Sequence, residues 1–274
     1  MTARAVIGIS GWRYASWRGD FYPRGLRQAD ELRYAAERLD SVEINGSFYS
    51  LQRPTSWRRW RETVPDEFVF AVKGPRFVTH LKRLRDPREA LANFFASGVL
   101  ALGPALGPIV WQTPADLAYD AALVETFLDL LPRSGVAALE LARERHERMH
   151  GREHLQIDAD LPIRHAFEPR HPSFDSDAFA DAIAARGMAI VTADSAGTWP
   201  VIDRVTDGFA YARLHGDTEL YASGYSDAAL AGWAQWVRGH LAAGRDAFVY
   251  FDNDARGRAP HDAMALRAAL RADG

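Results

Sequence analysis

Acids, bases and amides recur in this chain at the ends of short apolar runs. SVEIN ends in Glu43 and Asn45, VFAVK in Lys73, IVWQ in Gln112, and HAFEPR in Glu168 and Arg170. AIVTAD ends in Asp194, FAYARLH in Arg213 and His215, and VYFDN in Asp252 and Asn253. Such a set supports proton transfer and anion binding. Carboxylates and an imidazole serve as general acids and bases. Lys and Arg hold phosphate or carboxylate, Arg through paired donors. A buried carboxylate without a partner is costly or becomes neutral. The acids Glu43, Glu168, Asp194 and Asp252 therefore call for Lys73, Arg170, Arg213 and His215 close by.

Strand alternation sorts these residues onto faces. Glu43 and Asn45 share the side opposite Val42 and Ile44, and Tyr211, Arg213 and His215 share the side opposite Ala212 and Leu214. A competing reading makes the ring a set of structural ion pairs. Buried pairs stabilise poorly compared with packed apolar groups, so this many favour a pocket.

The elements that must position them alternate between strand and helix along the whole chain. Strands are expected at 6–10, 41–45, 68–73, 109–112, 163–168, 189–194, 209–215 and 247–252. Helices are expected near 30–39, 55–63, 86–97, 121–131, 135–150, 176–186, 227–243 and 260–271. Asp86 and Asp175 are the expected caps of the third and sixth of these, and Gly244 the expected stop of the seventh. Parallel strands need crossovers. Eight such units in 274 residues predict an α/β fold: a single-domain TIM-type (β/α)8 barrel over residues 1–274, a closed parallel sheet with outer helices. In that fold the strand ends meet at the C-terminal mouth. No GxGxxG follows the first strand, which argues against a dinucleotide-binding sheet.

Composition narrows the partners. Hydrophobic residues make up 47% and charged residues 25% of the chain, as in a soluble globular protein. A net charge of -3 excludes a histone-like polyanion binder. The chain has no cysteine, so disulfides, thiolate metal sites and a cysteine nucleophile are excluded. The N-terminal residues run almost directly into a strand with no signal-peptide core, and the most apolar tract, 98–111, is broken by Gly and Pro. A cytoplasmic protein without a membrane partner is expected.

One metal motif stands out. His150–His154 reads HGREH, an HxxEH pattern, with His146 four residues upstream. That chemistry needs an unbroken helix, and Gly151 sits inside it. A solvated helix end is the expectation, and no metal is assigned there. Glu43, Glu168, Asp194 and His215 are alternative metal ligands at the mouth, but Lys73, Arg170 and Arg213 compete for the same carboxylates. No metal is assigned at the mouth.

The stretches GISGWRYASWRGDFYP, SVEINGSFY, FAVKGPRFVTH, HAFEPRHPSF, VTADSAGTWP, FAYARLHG and VYFDNDARGRAP occur in this order and together resemble the YecE-like family, DUF72. The resemblance covers nearly the whole chain. It implies a TIM barrel and shared polar positions at Glu43, Asn45, Lys73, Glu168, Arg170, Asp194, Arg213, His215 and Asn253. It carries no activity with it. Where the family pattern has paired Asn, this chain has Asp252–Asn253.

The expected function is hydrolysis of a phosphorylated or nucleotide- or sugar-like substrate. Glu43, Lys73, Glu168, Asp194 and His215 are the expected catalytic residues. Asn45, Gln112, Arg170, Arg213, Asp252 and Asn253 are expected to contact substrate, with Trp12 and Tyr22 from the aromatic first loop. The alternative is a non-catalytic binder of an anionic ligand or single-stranded nucleic acid, using Arg for charge and loop aromatics for stacking.

Overall fold

Runs of Val, Ile, Phe and Ala form eight strands: β1 Ala5–Ser10, β2 Ser41–Ile44, β3 Val69–Lys73, β4 Leu106–Gln112, β5 His165–Glu168, β6 Ala189–Asp194, β7 Phe209–Leu214 and β8 Asp246–Phe251. In this computed structural model, which describes residues 2–206 and 208–272, they close into a barrel in sequence order. Pairing is parallel, with Ser10 opposite Glu43, Gln112 opposite Glu168 and Asp194 opposite Leu214. The fold is the expected TIM-type (β/α)8 barrel. β2, β3, β5 and β7 are buried at every position, as in parallel sheets covered on both faces.

The connecting helices are α1 Glu31–Ala36, α2 Gly46–Tyr49, α3 Pro54–Thr63, α4 Arg88–Ala96, α5 Ala121–Asp129, α6 Gly135–Arg143, α7 Asp177–Ala184, α8 Asp227–Ala242 and α9 Arg258–Ala272. Three expectations change. Asp86 does not cap α4: its φ is +42°, in the left-handed region, and Pro87 occupies the cap position without a side-chain bond. Asp175 does not cap α7; the Ser176 side chain accepts from the Phe179 amide instead. The helix expected over 135–150 stops at Arg143, and a separate single turn covers Glu147–Met149. Gly244 does stop α8, with φ +76° supplying the left-handed turn.

Contacts divide the chain into two compact units, one of residues up to Glu43 plus those from Ala189, the other Ile44–Met188. The first contains β1, β6, β7, β8 and most of β2. α9 packs on β1 and β8, and α8 packs on β8 and α9. Trp17, Tyr22, Tyr211 and Tyr250 are its large fully buried rings.

The second unit contains β3, β4 and β5. Its core is aromatic: Trp111 meets Phe94 and Phe127 edge to face at 5.8 and 5.4 Å. Gly74, directly after β3, makes room for this tryptophan. A Cβ there would lie 2.3 Å from the Trp111 ring.

Candidate active site

In the first unit the register brings Ser10 and Glu43 side by side on β1 and β2. Alternation along β7 turns Tyr211 and Arg213 to the same side. The result is a carboxylate surrounded by donors. Ser10 Oγ donates to Glu43 Oε1 at 2.8 Å, and Tyr211 Oη donates to Oε2 at 2.5 Å. Arg213 grips both oxygens, Nη2 to Oε1 at 2.8 Å and Nε to Oε2 at 3.2 Å. Arg213 Nη2 also reaches Asp252 Oδ2 at 2.9 Å, just past β8. That oxygen lies 3.0 Å from His215 Nδ1. Ser10, Glu43, Tyr211, Arg213 and His215 are wholly buried.

The electrostatics follow from this burial. The Tyr211 phenol is raised well above its ordinary range by desolvation and by the charge of Glu43, so it stays a donor. Glu43 is occupied on both oxygens and acts as the anchor of Arg213. Arg213 spends its fork on Glu43 and Asp252. Sequence alone suggested a base role for the first and a ligand clamp for the second. Their contacts favour a scaffold for Asp252 and His215.

His215 follows β7. Trp199 and Tyr221 stand edge-on to its ring, at centroid distances of 5.7 and 5.4 Å. Asp194, the last residue of β6, is half-buried. Desolvation raises its carboxyl above the ordinary range, against the pull of a hydrogen bond from Tyr225. Asn253 is buried and donates to Ser223 O at 2.8 Å and Asp262 Oδ2 at 2.7 Å, so it ties the loop after β7 to α9. Tyr22 is fully buried, and its hydroxyl donates to Trp12 O at 2.7 Å. Trp12 is buried as well, so this pair packs the first loop.

Asp254 was not singled out from sequence. Burial pushes its carboxyl up to about 6, the Tyr14 hydroxyl hydrogen-bonds it in the opposite direction, and the charge of Asp252 adds to the rise. Its position two residues after Asp252 was the available signal, masked by a loop rich in Asp, Asn and Arg.

In the second unit Lys73 ends β3 with its Nζ 4.3 Å from the Phe48 ring centre. Glu168 ends β5, fully buried, and accepts from Arg170 Nε at 3.0 Å. His80 meets Phe48 edge-on at 5.1 Å. Burial, then the charges of Lys73, Arg170 and Arg76, push His80 down to about 4. The buried atoms Gln112 Oε1 and Asn45 Oδ1 have no hydrogen-bond partner among the described residues. Such acceptors are normally satisfied by a water or a ligand donor.

The HxxEH stretch does not form a helix. Gly151 has φ +74°, and Glu153 is taken by Arg145 at 2.7 Å. Among the described residues no group of three or more His, Asp or Glu stands where it could hold a metal. No helix among them is long and apolar enough to cross a membrane.

Fold and site together define a (β/α)8 barrel whose strand ends carry buried, mutually bonded acids and bases. The chain belongs to the family described as Protein of unknown function DUF72, which it matches over residues 6–274. UPF0759 protein YecE of Escherichia coli is 29% identical over 127 residues, 46% of this chain and 44% of that protein. UPF0759 protein YunF of Bacillus subtilis is 27% identical over 103 residues, 36% of this chain and 34% of that one. The chain thus spans less than half the length of the curated relatives it matches. A DUF72 family protein from Thermotoga maritima shares the fold with a TM-score of 0.77 at 22% identity, covering 97% of this chain and 99% of its own. One from Enterococcus faecalis gives 0.72 at 15% identity, covering 97% and 95%.

Proposed function

We propose that this chain is a hydrolase of phosphorylated or nucleotide- or sugar-like substrates, with His215 as its proton-transfer group. The reading rests on one contact, His215 Nδ1 lying 3.0 Å from Asp252 Oδ2. A carboxylate beside Nδ1 favours the tautomer with its proton there, which leaves the Nε2 lone pair as the proton acceptor. Asp252 is held in turn by Arg213 at 2.9 Å, and Arg213 by Glu43 at 2.8 Å. The carboxylate in contact with the base is therefore itself fixed by buried charge-assisted bonds. Asp194 supplies the complementary acid, its carboxyl raised by burial. Trp199 and Tyr221 give the ring-stacking wall that a base or sugar needs.

Turnover of nitrophenyl phosphates, nitrophenyl glycosides and nucleotides by wild type and His215→Gln tests this. The variant is expected to lose about a hundredfold or more in kcat, with its melting temperature close to wild type. Equal turnover in the two proteins would remove His215 from the chemistry.

A further inference from the structure

The second unit carries an apolar groove that the proposed chemistry does not use. Tyr49 is 71%, Leu81 61%, Phe77 50% and Leu51 39% exposed. Scattered apolar residues on a surface need no explanation, but a contiguous group does. These four, with Phe48, Pro75 and Arg76, line one cavity of about 360 Å³. The volume lies within the range of small-ligand sites. Phe77 and Leu81 belong to a widened helical turn, Phe77–Leu81, closed by a bond from Lys82 N to Phe77 O at 2.9 Å. Such turns recur at functional sites.

Charge decides the kind of ligand. Arg76 is exposed on the groove wall and makes no ion pair among the described residues. Lys73 Nζ sits 4.3 Å from the ring of Phe48, another wall residue. His80, edge-on to the same ring, is kept neutral by burial and by Lys73, Arg170 and Arg76, with only Glu168 pulling the other way. The field beside this groove is positive, and its walls are aromatic and aliphatic.

We infer that the groove binds a small aromatic oxyanion, its ring against Phe48, Tyr49, Phe77 and Leu81 and its phosphate or carboxylate on Arg76. This rests on residues 44–188 alone and stands whether or not His215 is catalytic.

Calorimetric titration of the full chain with naphthylphosphonate, which a hydrolase cannot turn over, tests it. Saturable binding is expected, about tenfold tighter than inorganic phosphate or neutral naphthol. Arg76→Gln is expected to weaken the phosphonate about tenfold and leave naphthol unchanged, whereas Leu81→Ser and Tyr49→Ser weaken both ligands. All three side chains are exposed, so these variants should melt as wild type does. Naphthoate separates the two oxyanions: equal affinity means any oxyanion suffices, weaker affinity means phosphate is the natural group. Absence of saturable binding, phosphate binding as tightly as the phosphonate, or an unchanged Arg76→Gln overturns the inference. Concentration-dependent dimerisation abolished by Leu81→Ser also overturns it, since a second copy would then be the occupant.

Discussion

Arg213 is the residue on which the first unit's polar interior turns. A guanidinium matches a carboxylate with two parallel bonds, and here it bonds Glu43 twice and Asp252 once while wholly buried. Buried ion pairs contribute little compared with apolar packing, yet removing one partner strands the other's charge. Arg213→Leu is expected to cost about 3–5 kcal/mol, read as a fall in the urea midpoint. His215→Gln strands no carboxylate that lacks another partner, because Arg213 still holds Asp252. A loss of stability equal to that of Arg213→Leu would count against separating scaffold from chemistry. Sequence identified these side chains but not their division of labour. Alternation reports which face a residue takes; it is silent on whether a carboxylate will be met by one donor or, like Glu43, by Ser10, Tyr211 and Arg213 together.

At the scale of elements, the strands were legible because eight apolar runs each need burial on both faces, and only a covered parallel sheet provides it. Helix ends were less legible. Asp86 and Asp175 are good cap residues in isolation, but the chain reaches α4 through Arg83, Leu84 and Asp86 at positive φ, which turns Asp86 away from a cap geometry. At α7 the adjacent Ser176 takes the position. Ser176→Ala should therefore cost about 1 kcal/mol through loss of this cap, measured by thermal or urea unfolding. Gly74 offers a sharper test, because its close neighbour is the fully buried Trp111. A methyl group 2.3 Å from that ring forces the indole or the end of β3 to shift. Gly74→Ala is expected to destabilise by about 1–3 kcal/mol, and an unchanged midpoint would mean that the core around Trp111 yields freely.

Stability against pH belongs to the whole molecule, since shifted groups occur in both units. Two of them act in opposite directions over nearly the same range. Asp254 is raised to about 6 from an ordinary 3.8. Between these values the folded chain keeps a proton that the unfolded chain has lost, so this group lowers stability as pH rises. His80 is lowered to about 4 from 6.5. Between those values the unfolded chain holds the proton, so this group raises stability as pH rises. His165, buried against Pro132 O and Trp111, is pushed down to about 3 and adds to the same upward trend. The wild-type profile from about pH 4 to 6.5 is therefore the balance of these falling and rising contributions. Asp254→Asn removes the falling component. Its stability minus that of wild type should grow as pH rises from 4 to 6 and then level off. His80→Gln removes part of the rising component, so its difference from wild type should decline from pH 4 to 6.5. Urea midpoints taken across this range for the three proteins read both slopes. Parallel curves for Asp254→Asn and wild type would mean that Asp254 titrates as an ordinary solvated carboxylate, and the burial assigned to it beside Asp252 and Tyr14 would have to be withdrawn.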